Sequence, residues 1–134
     1  MSERASFIAE TSGPVAVTVP HMDDEALGCG ALLASLAGRR DVRLFFCGDG
    51  LGSFSRGFIL AHGAEALKAE RKQETLRAIA HLGVSPERAA FADRTEWTFG
   101  RQFDALSGAL GMWLDLIQPS VVLAPFRLDC HPDH

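Results

Sequence analysis

The sequence has no apolar run approaching the ~18–20 residues that a membrane-spanning helix needs, so no span is expected. Its first residues, Met1 to Ile8, have no basic segment leading into an apolar one, and no secretory leader is expected either. Cysteine is scarce: Cys29, Cys47 and Cys130 form an odd set without paired spacing. That excludes a disulfide framework and suits reduced thiols in the cytoplasm. Cys29 and Cys47 read as small buried hydrophobes, whereas Cys130 adjoins His131. Positive charge is in deficit, with 13 Lys and Arg against 17 Asp and Glu for a net charge of -4. No basic run offsets this, which removes attraction to a phosphate backbone and excludes nucleic acid as an expected partner.

What is present fits an ordinary globular chain. A hydrophobic fraction of 47% over 134 residues is enough for a real core, and one domain covering 1–134 is expected. The β-branched run Val15 to Val19 predicts a strand buried on both faces and ended by Pro20. Leu27, Leu32, Leu33 and Leu36 predict a helix over Glu25 to Ala37, closed by Gly38. Val42 to Cys47 predicts a second strand, opening into a glycine-rich loop, Gly48 to Ser53, that is free to move. A helix follows over Ala64 to Leu82 with Gly83 beyond it, then a short strand over Ala89 to Ala92. Phe103, Leu106, Leu110, Trp113 and Ile117 recur at helical spacing before Pro119, and Val121 to Ala124 predicts the last strand. This alternation implies right-handed βαβ units, and hence an α/β, Rossmann-like three-layer fold with a mostly parallel sheet.

In such sheets ligands bind beyond the carboxyl ends of the strands, where strand order reverses. Two polar clusters fall there: His21-Met-Asp-Asp-Glu25 after the first strand and Asp129-Cys-His-Pro-Asp-His134 after the last. Acids at a helix start have a plain explanation, since they cap free N–H groups and favour the positive end of the dipole. Capping does not account for His21, nor for the fact that three of the five histidines lie in two clusters the fold brings together. Imidazoles and a carboxylate with one coordination position left open are how catalytic zinc is held. One aspartate of the doubled pair is then spare to take a proton from water, and one histidine is spare to stabilise an oxyanion.

At these residues the chain resembles the PIG-L/LmbE-like zinc-dependent deacetylases, which act on N-acetylglucosamine-type substrates. Pro20-His-Met-Asp-Asp-Glu-Ala-Leu-Gly-Cys-Gly30 is similar to the family's first motif and Cys130-His-Pro-Asp-His134 to its second. Gly48-Asp-Gly50 and the stretch from Arg71 to Val84 are similar to the connecting pattern. The resemblance implies metal ligands His21, Asp24 and His134, a general base Asp23, and His131 as partner of the oxyanion. It implies substrate contacts at Arg71 and Asp93, although a solvated helix face explains Arg71 equally well. It further implies zinc, with ferrous iron also accommodated by two imidazoles and a carboxylate, and a small N-acetylated sugar or glycoconjugate as substrate. Two features depart from the family pattern: Met22 stands where proline is usual, and family domains usually continue beyond the position of His134, so this is read as their N-terminal portion.

Three other readings compete. His21, Asp23 and His134 also match the facial triad of non-haem iron oxygenases, but the alternating αβ pattern disfavours it. Gly48-Asp-Gly-Leu-Gly52 resembles a nucleotide or S-adenosylmethionine loop, yet after the first strand Leu33 occupies the third glycine's place of G-x-G-x-x-G. A non-catalytic, metal-binding relative acting as a binding module is the third.

Overall fold

The computed structural model describes residues 8, 10–52, 56–126 and 128–134. Residues 1–7, on which the leader expectation rests, and Ser53 of the glycine-rich loop lie outside them. Four strands, β1 (Val15–Val19), β2 (Val42–Gly48), β3 (Ala89–Arg94) and β4 (Val121–Leu123), form one sheet in the order β3-β2-β1-β4. Every pairing is parallel, and Val15 lies opposite both Val42 and Val121. The chain leaves β1 toward β2 on one side and returns to β4 on the other, so strand order reverses at β1.

Helix α1 (Asp24–Leu36) and helix α3 (Ala64–His81) pack on one face of the sheet. Leu33, Leu36 and Ile79 meet Val15, Val17, Leu44 and Phe46 there in one buried cluster. Burying each such aliphatic or aromatic side chain stabilises the fold by about 1.5–3 kcal/mol. Alternation along β2 turns Phe45 and Cys47 to the opposite face, where they meet Phe99 and the Leu106, Leu110 and Trp113 side of helix α4 (Phe103–Ile117). The three layers therefore follow from a central strand that is apolar on both faces from Leu44 to Cys47 and is flanked by amphipathic helices.

The elements fall where the sequence pattern places them, with differences that have local causes. Helix α1 is kinked at Cys29, whose φ of -144° is not helical. Gly28 and Gly30 flank that residue, and glycine costs a helix interior about 0.5–1 kcal/mol each, so this is its weak point. Strand β3 continues two residues beyond Ala92 to Arg94. A short helix α2 (Arg56–His62) has no counterpart in the sequence reading, because its seven residues are too few for a period to show. The glycine-rich loop after β2 is held rather than free as far as Gly52, by bonds described below. All three cysteines are unpaired; Cys47 is buried, with its thiol pushed up to about 12 by burial, and Cys130 is exposed.

Gly83 closes α3 in a left-handed conformation, φ +83°. Its N–H bonds to Ala80 O and that of Val84 to Ile79 O, which satisfies the last carbonyls while Val84 packs into the core beside Ile79. A Cβ at Gly83 would lie 2.5 Å from Ala37 Cβ. Gly83→Ala is therefore expected to lose about 2 kcal/mol or more in urea unfolding, from overlap added to backbone strain. Gly108→Ala, in α4 with nothing within 4 Å of the added methyl, is expected to gain about 0.5–1 kcal/mol.

Candidate metal centre and active site

Because β1 and β4 are parallel neighbours, the segments that follow them emerge side by side. His21 and Asp24 occupy the turn after β1 and the first residue of α1, and His134 closes the turn after β4. His21 Nδ1 is 3.3 Å from Asp24 Oδ2, His134 Nε2 is 3.4 Å from the same oxygen, and the two nitrogens are 3.4 Å apart. Ligand atoms placed tetrahedrally at 2.0–2.1 Å from zinc are separated by about 3.3–3.4 Å, so the three atoms match one face of such a shell. The donor set and its spacing fit a metal ion.

The outer nitrogens of both imidazoles are occupied as well. His21 Nε2 is 3.1 Å from Asp133 Oδ2, and His134 Nδ1 is 3.1 Å from Asp129 Oδ2. A carboxylate on the far nitrogen fixes the tautomer and leaves the near nitrogen's lone pair toward a metal. Asp133 is 9% exposed and also accepts the backbone N–H groups of Trp97 and Phe99. Burial pushes its carboxyl up, but these bonds and that of His21 outweigh it and hold the group below the usual carboxylate range. Asp129 is lowered chiefly by the His131 N–H and by His134.

The three consecutive acids have separate fates, and capping is not among them. Asp23 stands at the N-cap of α1 yet makes no capping side-chain bond, and its carboxylate is exposed in the cleft beside His21. Asp24 accepts the His21 backbone N–H at 2.9 Å and faces both imidazoles. Glu25 is 2% exposed with Oε2 unpartnered, and burial, helped by Asp23 and Asp24, pushes it up to about 7.

His131 lies against His21, ring centroids 4.6 Å apart. Its Nδ1 accepts the N–H of Asp133 at 3.2 Å, so the neutral ring carries its proton on Nε2. A cleft of about 180 Å³ opens here, lined by His21, Met22, Asp23, Gly50, Gly52, Arg71, Glu96, Trp97 and His131. A larger cavity of about 750 Å³ runs along β4 on the other side of Asp24 and His134. Asp23, His21 and His131 line the smaller one, and Asp24 and His134 line the larger.

Arg71 reaches this cleft from α3 and donates to Met22 O and to Glu74. Asp93 does not line it; its carboxylate is exposed and paired with Lys72 at 2.7 Å. Three participants carry no sequence signal strong enough to single them out: Asp129, Asp133 and Glu96. The first two sit inside the second histidine cluster, where alternation with histidine is the available hint. Glu96 is buried and accepts the N–H groups of Gly50 and Gly52 at 3.0 and 2.7 Å. A Cβ at Gly48 or Gly52 would fall within 2.4 Å of a Glu96 oxygen, so those glycines let the carboxylate approach.

In the absence of metal, His21 is raised from 6.5 to about 9, first by its bond to Asp24, against burial, with Asp133 and Glu96 adding to it. A raised folded pKa stabilises fully below the unfolded value and fades as pH climbs through the folded one. Metal-free protein should therefore lose thermal stability between about pH 6.5 and 9, and metal-loaded protein should not show that loss. Asp133→Asn, which keeps shape but removes the charge behind His21, should weaken metal affinity about 10–100-fold in competition with a chromophoric chelator.

Comparison with known proteins follows the same residues. Residues 16–134 match the family PIG-L, described as GlcNAc-PI de-N-acetylase. No curated protein matches the sequence. Among solved structures, N,N'-diacetylchitobiose deacetylase from Pyrococcus horikoshii, complexed with its inhibitor MPG, is similar with a TM-score of 0.76 and 24% identity. The alignment covers 98% of this chain and 50% of that one, so the chain spans about half the length of this solved structure. At that identity the likeness establishes the fold. With the family pattern running from β1 to the histidines after β4, the chain belongs to the PIG-L family.

Proposed function

We propose that the protein is a metal-dependent hydrolase that removes the acetyl group from an N-acetylated sugar. The observation that carries this reading is the near-equilateral triangle of His21 Nδ1, Asp24 Oδ2 and His134 Nε2, backed by two carboxylates and adjoining the unbonded carboxylate of Asp23. A competing donor set exists, since atoms of His21, His131 and His134 lie within 4.8 Å of one another. The set containing Asp24 is favoured because its separations are 3.3–3.4 Å and because Nδ1 of His131 already accepts a backbone N–H. Zinc and ferrous iron both suit two imidazoles and one carboxylate.

A divalent cation held there would supply a Lewis acid and bring the pKa of a water molecule to about 7. The chain's own groups then have defined tasks. Asp23 takes the proton from the attacking water as its oxygen bonds to the acetyl carbon, and returns it to the amine nitrogen as the C–N bond breaks. His131 donates from Nε2 to the carbonyl oxygen as charge gathers on it, a contribution of roughly 2.7–4 kcal/mol for one well-placed donor. Arg71, at the cleft wall, offers its remaining donors to sugar hydroxyls, while Asp93, engaged by Lys72, reaches substrate only by releasing that pair. Acetate and a free amine leave. Among the described residues no helix is long and apolar enough to cross a membrane.

Elemental analysis should find close to one metal ion per chain, and amine release from N-acetylglucosamine should be abolished by a chelator. Asp23→Asn is expected to keep the metal and lose about 10²–10⁴-fold in kcat, whereas His21→Ala loses the metal. Equal metal loss in both variants would overturn the division of roles between Asp23 and Asp24. Metal without turnover in the unaltered chain would favour the non-catalytic binding module.

A further inference from the structure

The wall of the small cleft contains a residue whose conformation is costly and whose ring is largely unburied. Trp97 has φ +65°, a left-handed region where a bulky side chain is an outlier and the backbone is strained. Its backbone is held there because its N–H and that of Phe99 both bond to Asp133, the carboxylate behind His21. Glycine would satisfy the same two bonds without strain. Core burial does not offset the cost either, since Trp97 remains 57% exposed. The indole instead lies against His131, ring centroids 4.5 Å apart, with Nε1 3.1 Å from where a Cβ at Gly52 would stand, in the wall of the cleft. An open aromatic face thus stands next to the donor proposed for the acetyl oxygen, and Asp23 and Arg71 supply polar walls of the same cleft.

A pyranose ring has matching chemistry. Its hydroxyl rim needs polar partners, while its axial C–H groups present a flat apolar face that packs on an aromatic ring. An acyclic N-acetylated amine has no such face. Resting on the sugar-deacetylase reading above, we infer that Trp97 is a specificity-determining residue, a stacking platform that holds the sugar ring while its acetamide enters between Asp23 and His131. The strained backbone positions the platform, and Asp133 ties it to the same carboxylate that orients His21.

The test uses the metal-loaded protein and two probes, N-acetylglucosamine and the acyclic N-acetylethanolamine. Calorimetric affinity for the sugar should fall about 3–10-fold in Trp97→Gly, the range an aromatic stacking contact is worth, and recover in Trp97→Phe. Affinity or KM for the acyclic probe should be unchanged in both variants. Thermal stability of Trp97→Gly should not fall, because the strain is relieved, whereas a purely structural tryptophan would lower it. In a Trp113→Phe background, whose remaining indole is Trp97 alone, the sugar should shift the emission and the acyclic probe should not. This readout stands even where Trp97→Gly does not fold. Sugar binding with unmoved emission and equal affinity in the Trp97 variants would overturn the platform and leave the deacetylase reading intact. Metal uptake with no sugar binding by the unaltered protein would overturn the deacetylase reading and the platform with it.

Discussion

One buried carboxylate holds the site together. Asp133 receives His21 Nε2 from the turn after β1 and the N–H groups of Trp97 and Phe99 from the segment after β3, while sitting itself after β4. Three chain segments distant in sequence thus share one negative charge. A charge with so little solvent is tolerable only when fully hydrogen-bonded, and each donor is correspondingly costly to lose. Removing it would free the imidazole, unseat the strained backbone at Trp97 and loosen the first turn of the segment leading to α4.

Around that anchor the architecture repeats one device, an acid that positions something else. Asp129 holds His134, Asp24 accepts the His21 backbone, and Glu96 gathers Gly50 and Gly52. These groups act in a partly desolvated pocket, where an ordered dipole or charge is worth more than in water. Asp23 differs because no hydrogen bond or ion pair among the described residues holds its carboxylate, which suits the proposed role of a base that exchanges protons with water and substrate. The helix start thus supplies, from adjacent positions, one acid aimed at the imidazoles and one aimed at the cleft.

The fold makes this possible by placing β1 between β2 and β4 with every strand parallel. All carboxyl ends then lie along one edge, and the order reversal at β1 separates α1 from the loop after β4 enough to leave a crevice. Among the described residues, exposed aromatic surface lines a cavity at Trp97, in the small cleft with Asp23 and His131, and at Phe126, in the larger cavity along β4.

Periodicity and punctuation determined the layers. The apolar run Val15 to Val19, the helical spacing in α3 and α4, and glycines at positions 38 and 83 are local signals, because burial on both faces and left-handed helix ends are dictated residue by residue. The two histidine clusters were legible for the same reason: strand ends in a parallel sheet converge whatever lies between them. What was not legible is which group touches which. That Asp133 serves His21 rather than its neighbour His134, that Glu96 clamps a loop 46 residues away, that Asp93 is spent on Lys72, and that Trp97 lies tilted against His131 are distances between segments joined only through the sheet. Hydrogen bonds of this kind leave no period and no spacing in a single sequence. They are decided when the strands have paired and desolvation forces every buried polar atom to find the partner nearest in space.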